Sequence, residues 1–180
     1  MIINHHFFRL YSPFPKNYDL SEIDNYIRVA EQIYIVPLLG DALYNEINEQ
    51  VNSNTSGGTL SVENSTLLTE GGVWQLLGFA TTWVALPLVW GTISENGIQL
   101  GKSDNSESMT LKDLTLVQQH LQQLINALRD KVITYLCTHT ESFPLFDASI
   151  CPNCNCCGHE PVKQLFKPLN HTCRRNKDIK

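Results

Sequence analysis

Positive charge is scarce in this chain: 13 Lys and Arg stand against 18 Asp and Glu, for a net charge of −5. A general DNA or RNA binder carries a basic face, so that class is disfavoured, although a passive, mildly negative wall beside DNA remains compatible. Catalytic signatures are missing as well. The chain has no Gly-rich phosphate loop, no Gly-x-Ser-x-Gly and no His-Glu-x-x-His. His5, His6, His120 and His139 have no acid at a ligand spacing, so no enzyme is expected. The start, Met1-Ile-Ile-Asn-His-His-Phe-Phe, lacks a basic segment followed by a long apolar run, and no secretory signal is read. Cysteine is almost confined to the end of the chain, with five of six in 151–173. Without a secretory signal those thiols are expected to be reduced. Cys137, beside a helical stripe, reads as a small buried hydrophobe.

What is present reads mainly as helix. Ser21-Glu-Ile-Asp resembles a capping box, and Ile23, Ile27, Ala30 and Tyr34 follow at helical spacing. Arg28, Glu31 and Gln32 are placed on the outer face. Pro37 has no amide hydrogen and disfavours helix at Val36, so the first helix should stop there and a second should run from Pro37 to about Val51. Leu39, Leu43, Ile47 and Val51 give that second helix its stripe, with Ala42 beside them. The polar stretch 52–66 has no apolar period and reads as a loop.

No charged residue occurs from Gly71 to Gly91. A membrane span needs about 20 apolar residues. Gln75, Gly78, Thr81, Thr82 and Pro87 dilute this run and no Lys or Arg flanks it closely, so it reads as a central helix buried all round, kinked or ended by Pro87. Asn96-Gly97 suits a two-residue hairpin turn between strands near Ile93 and Ile98. Thr110 to Asp113 opens the longest helix, with Leu114, Val117, Leu121, Leu124, Ile125, Leu128, Val132 and Leu136 as its stripe, ending near Cys137. Ser142-Phe143-Pro144-Leu145-Phe146 then folds back on the core. Before all this, Pro13 and Pro15 forbid a regular helix through 1–20, so an extended arm is expected, its aromatic residues packing on the chain's own domain or on a neighbouring subunit.

The turn within Ile33–Ile47, the Trp-rich helix, the Thr92-Ile-Ser-Glu-Asn-Gly97 hairpin and Tyr135-Leu-Cys137 followed by Ser142-Phe-Pro144 occur in that order. Over about residues 20–147 the chain resembles the head–tail connector (adaptor, or neck ring) proteins of tailed phages of Bacteroidales, crAss-like phages included. The resemblance implies a small, mainly α subunit, and the residues themselves add the rest of the fold class: a helical bundle with one β-hairpin, an extended N-terminal arm and a Cys-rich C-terminal tail that lies outside the shared pattern. The chain thus divides into arm 1–20, connector domain 21–147 and basic Cys/His-rich tail 148–180. The resemblance also implies a structural virion protein of the neck, made in the host cytoplasm, forming a closed ring of twelve copies. That ring would bind the portal protein and further neck or tail proteins and let DNA pass without specific binding or any membrane contact. A closing heterologous interface needs two different patches per subunit. The candidates are the arm residues Phe7, Phe8, Tyr11 and Phe14, the hairpin residues Ile93, Asn96, Gly97 and Ile98, and the stretch 52–66.

The tail offers a second kind of chemistry. Cys151-Pro-Asn-Cys154 and His171-Thr-Cys173 can supply four soft ligands to a structural zinc ion, with Cys156, Cys157 and His159 as substitutes. A tail with free thiols is the plainer reading. Lys163, Lys167, Arg174, Arg175, Lys177 and Lys180 make it basic. The alternative function is therefore an intracellular zinc-binding regulatory module whose tail contacts nucleic acid.

Overall fold

The uncharged run becomes the axis of the molecule. In a computed structural model, which describes residues 1–14, 23–54, 60–94, 97–100 and 111–151, helix α6 spans Val73–Trp90. Val73, Leu76, Leu77, Ala80, Thr81 and Ala85 are all fully buried on it. These six cover about half of the circumference, and the buried Trp74, Gly78, Thr82 and Leu86 carry burial further round, leaving a narrow half-buried strip at Gln75, Phe79 and Trp83; that is why the sequence shows no polar face. Pro87, itself exposed, lies inside the helix and does not terminate it. Among the described residues no helix is long and apolar enough to cross a membrane.

Around α6 pack α1 (His5–Tyr11), α2 (Asp24–Ala30), α5 (Val62–Thr69) and α7 (Leu111–Thr138). The fold is therefore mainly α. The first correction is the arm: residues 5–11 are helical, capped by the Asn4 side chain, which accepts from the Phe7 amide. Pro13 lies beyond the last turn and so does not oppose it. Residues 15–22, including the Ser21 capping box, lie outside the described residues.

The second correction concerns Pro37. The helix does not stop before it. It passes through a wide π turn, Glu31–Ile35, in which the Val36 amide reaches back five residues to the Glu31 carbonyl. It then continues as α3, Val36–Leu39. A proline inside a helix leaves one carbonyl without its donor and presses its ring against the preceding turn; a wider turn makes room for both. The break comes instead at Gly40, whose φ of +79° is open to glycine and strained for other residues. Helix α4, Asp41–Asn54, starts there. Leu39, Leu43 and Ile47 are buried as the stripe requires, while Ala42 is exposed.

The third correction is α5, within the stretch read as loop. Ser61 caps it by accepting from the Asn64 amide, and Leu67 and Leu68 are buried. Asn64 itself is buried, donating to Glu46 Oε1 at 3.1 Å and to Gln50 Oε1 at 3.0 Å on α4. Gly91–Ser94 (β1) and Gly97–Leu100 (β2) pair antiparallel, Ile93 opposite Ile98, directly after α6. In α7 the stripe is deepest in its second half, where Ile125, Val132 and Leu136 are fully buried. Phe143 and Phe146 return the chain to the core.

Candidate functional site

Three places gather chemistry. The first is internal. Glu31, expected on the outer face, is 2% exposed. Its Oε1 accepts from the Ile2 amide at 2.7 Å and its Oε2 from the Tyr44 hydroxyl at 3.1 Å. On the other side of the same strand-like segment, Trp74 Nε1 donates to the Ile2 carbonyl at 2.8 Å, and the Met1 amine donates to Asn48 Oδ1 at 2.6 Å. Residues 1–3 are thus pinned between the π turn, α4 and α6, with Ile2 and Ile3 fully buried. Burial lifts the Glu31 carboxyl above the usual carboxylate range; the Ile2 amide, the N-terminal ammonium, the Tyr44 hydroxyl and Arg28 pull it back without cancelling that. The Tyr44 hydroxyl is pushed up to about 12 by its own burial, by the charge on Glu31 and by their hydrogen bond. Every group here has a partner within the fold, so its role is to fasten the N-terminal segment. The signal was present in the sequence: Glu31 stands between Ile27 and Ile35 at a spacing of four on each side, on the apolar stripe.

The expected arm interface belongs to this same inner surface. Phe8 is fully buried, Phe7 stacks on Trp74 with centroids 4.2 Å apart, Tyr11 lies 5.6 Å from Trp74, and Phe14 lies 6.0 Å from Phe8. Phe8 is enclosed by the chain's own core, while Phe7, Tyr11 and Phe14 pack against that core and stay partly exposed, and α1 presents Leu10, 64% exposed, outward. His5, read as isolated from acids, pairs with Asp24 at 2.6 Å across the surface.

The second place is the outer surface of the bundle. Val29 and Ile33 are 43% and 48% exposed on the face of α2 and the π turn opposite the core, and Leu116 is 56% exposed near the start of α7. Of the hairpin candidates, Asn96 lies outside the described residues, and Ile93, Gly97 and Ile98 are placed by their backbone pairing alone. A shallow cleft of about 150 Å³ lies between α5 and the end of α7, lined by Glu63, Thr66, Tyr135, His139 and Phe143 among others. His139 there stacks on Tyr135, centroids 4.4 Å apart, and its Nδ1 lies 2.9 Å from the Tyr135 carbonyl oxygen. That arrangement occupies the imidazole with its own helix end.

The third place is the junction of fold and tail. Cys137 and Cys151 form a disulfide, their Cα atoms 5.7 Å apart. Two sequence expectations are corrected by this: Cys137 is a cross-link, not a passive apolar filler, and it and Cys151 are bonded rather than reduced thiols. While the bond stands, Cys151 has no thiolate to offer a metal. The cause is the return of 139–150: Phe143 and Phe146 bury themselves and bring Cys151 back beside the last turn of α7. Cysteine spacing gave no sign of it. Cys154, Cys156, Cys157, His159, His171 and Cys173 lie outside the described residues. Among the described residues no three His, Cys, Asp or Glu side chains converge on one point.

No curated protein and no solved structure matches the chain. Residues 35–156, which run from the end of the π turn through the helices to just past the disulfide, do match a family of unknown function, and the chain belongs to that family, DUF6712.

Proposed function

We propose that this protein is a structural subunit of a phage neck: a head–tail connector that closes with copies of itself, twelve in the expected ring, beneath the portal protein. The ring extends the DNA channel and offers a docking surface to tail proteins. The reading rests on the sequence resemblance over residues 20–147. The observation that carries it further is the placement of exposed apolar side chains on separate helices, Val29 and Ile33 on one and Leu116 on another. Val29 and Ile33 stand four residues apart and so adjoin one another as a small apolar patch, while Leu116 is a separate exposed side chain. Two unlike patches on one subunit are what a closed heterologous ring requires. The hairpin β1–β2, with Ile93, Gly97 and Ile98, is the further contact with ring neighbour or portal in this reading.

The function is assembly, so the test is size. Light scattering on the eluted protein, alone and mixed with the portal protein of the same phage, is expected to give a ring-sized or portal-bound species. A chain that stays monomeric with the portal present overturns the proposal.

A further inference from the structure

We propose that the cleft between α5 and the end of α7 is a binding site for an arginine side chain presented by a partner protein. Its walls carry one carboxylate and three rings. Glu63 comes from α5, Tyr135 and His139 from the end of α7, and Phe143 from the return segment. Tyr135 and His139 stack with centroids 4.4 Å apart, and Phe143 is tilted by 55° against Tyr135 at 6.3 Å. Phe143 is buried, and Val62, 77% exposed, adds an apolar edge. The Cys137–Cys151 bond closes the loop that carries His139, Ser142 and Phe143, so this wall is tied at both ends. The site is complete on one chain and does not depend on the connector reading.

Size and charge select the occupant. The cleft holds about 150 Å³, below the roughly 300–1,000 Å³ of small-molecule sites, so it suits one side chain and not a cofactor. Among the described residues the Glu63 carboxylate has no hydrogen-bond or ion-pair partner. Two more acids stand nearby. Glu141 adjoins Ser142, which lines the cleft, and the charge on Glu70 reaches Tyr135, whose hydroxyl is lifted above its usual range by burial first and by that charge second. Lys131, one turn earlier on α7, lies against Gly72 and pairs with none of these acids. His139 adds an acceptor. Its Nδ1 lies 2.9 Å from the Tyr135 carbonyl oxygen, which can only accept, so Nδ1 carries the hydrogen and Nε2 of the neutral ring keeps its lone pair. A cation facing rings and a carboxylate gains from both. Guanidinium fits better than ammonium: it is planar, stacks on aromatic faces, is more weakly hydrated, and can divide its five N–H donors between a carboxylate and a ring nitrogen. The net charge of −5 favours approach by a basic partner.

The test titrates the full chain, its Cys137–Cys151 bond intact, with N-acetyl-arginine amide and with N-acetyl-citrulline amide, which has nearly the same shape and no charge. Nuclear magnetic resonance of the Tyr135, His139 and Phe143 rings is the readout. The arginine derivative is expected to shift the Tyr135 and His139 signals saturably, with a roughly millimolar dissociation constant, as befits so small a ligand. The citrulline derivative is expected to bind at least about 5-fold more weakly, having lost both the ion pair and the cation–ring attraction. Glu63→Gln should weaken the arginine derivative about 2–5-fold, the range of an exposed ion pair, and Glu63→Lys should abolish its binding. His139→Leu, which keeps Glu63, should also weaken it about 2–5-fold. Equal binding of the arginine and citrulline derivatives overturns the proposal, because the cleft would then not read charge. So does the absence of any saturable shift at Tyr135 and His139, or Glu63→Lys that binds like the wild type. N-acetyl-lysine amide bound as tightly as the arginine derivative overturns the choice of guanidinium.

Discussion

Two buried polar side chains carry opposite expectations. Thr81 is fully buried on α6 and its Oγ1 has no hydrogen-bond partner, so the hydroxyl is desolvated without return. Thr81→Val keeps the shape and removes that cost; it is expected to raise stability by about 1 kcal/mol, read as a higher thermal midpoint. Glu31 is buried but doubly bonded, and its carboxyl is held above its ordinary range chiefly by desolvation. The folded state therefore holds that proton more tightly than the unfolded chain does. The associated stability is full below the unfolded value of about 4.5 and is lost as pH rises through the raised folded value. Glu31→Gln keeps an acceptor for the Ile2 amide and cannot ionise. The stability difference between wild type and this variant should shift in the variant's favour as pH rises from 4 to 8, with melts at each pH as the readout. A constant difference would mean that Glu31 titrates normally. Glu31→Ala, by contrast, leaves the Ile2 amide and Tyr44 hydroxyl unpaired and should cost about 2–6 kcal/mol at pH 4, because each abandoned buried group costs roughly 1–3; that cost should shrink as pH rises, since alanine cannot ionise either.

At the scale of elements, the sequence was legible where the apolar period was long. The stripes of α4 and α7 and the uncharged run of α6 each place their buried residues where the helical spacing puts them. It misled where one local signal was given too much weight. Pro37 looked like a stop, yet the helix absorbs it by widening, and the actual break at Gly40 comes from backbone freedom three residues later. The α5 helix is short, and its buried Asn64 donates to Glu46 and Gln50 of α4, a long-range pairing that no local period encodes. The N-terminal aromatics read as an arm because their partner, Trp74, is about 65 residues away in sequence. Their docking depends on a close approach at Gly78. A Cβ there would stand 2.8 Å from the Tyr11 carbonyl oxygen and 2.9 Å from Ser12 Cα, both backbone atoms with little room to yield. Gly78→Ala is accordingly expected to push α1 off α6 at a cost of about 1–3 kcal/mol. Hydrogen exchange should show lost protection over 5–11 while α7 stays protected. Unchanged exchange in α1 would disprove that close approach.

At the scale of the whole molecule, the sequence showed a helical body and left its surfaces unassigned, since whether an apolar residue faces core or solvent depends on neighbours the chain meets only after folding. Ile33 lies on the outside of the π turn and Leu116 on the outside of α7, so neither supports the core. Ile33→Asp and Leu116→Asp should each leave the thermal midpoint nearly unchanged, as surface substitutions stay within about 0.5 kcal/mol. Each should nevertheless block the proposed ring. Their mixture distinguishes the kind of interface. If the patch around Ile33 on one subunit meets the patch around Leu116 on the next, an Ile33→Asp subunit still offers a sound Leu116 patch and its partner variant still offers a sound Ile33 patch. One junction forms and the next cannot, so the mixture stops at pairs while either variant alone stays monomeric. An isologous contact, in which the same patch meets itself, lets the variant that keeps that patch pair with itself already when alone, and mixing adds no new pairs. Light scattering of the two variants, separate and mixed at equal concentration, reads these outcomes directly, and rings formed by either variant alone would remove its substituted patch from the interface and so overturn the pairing of Ile33 with Leu116.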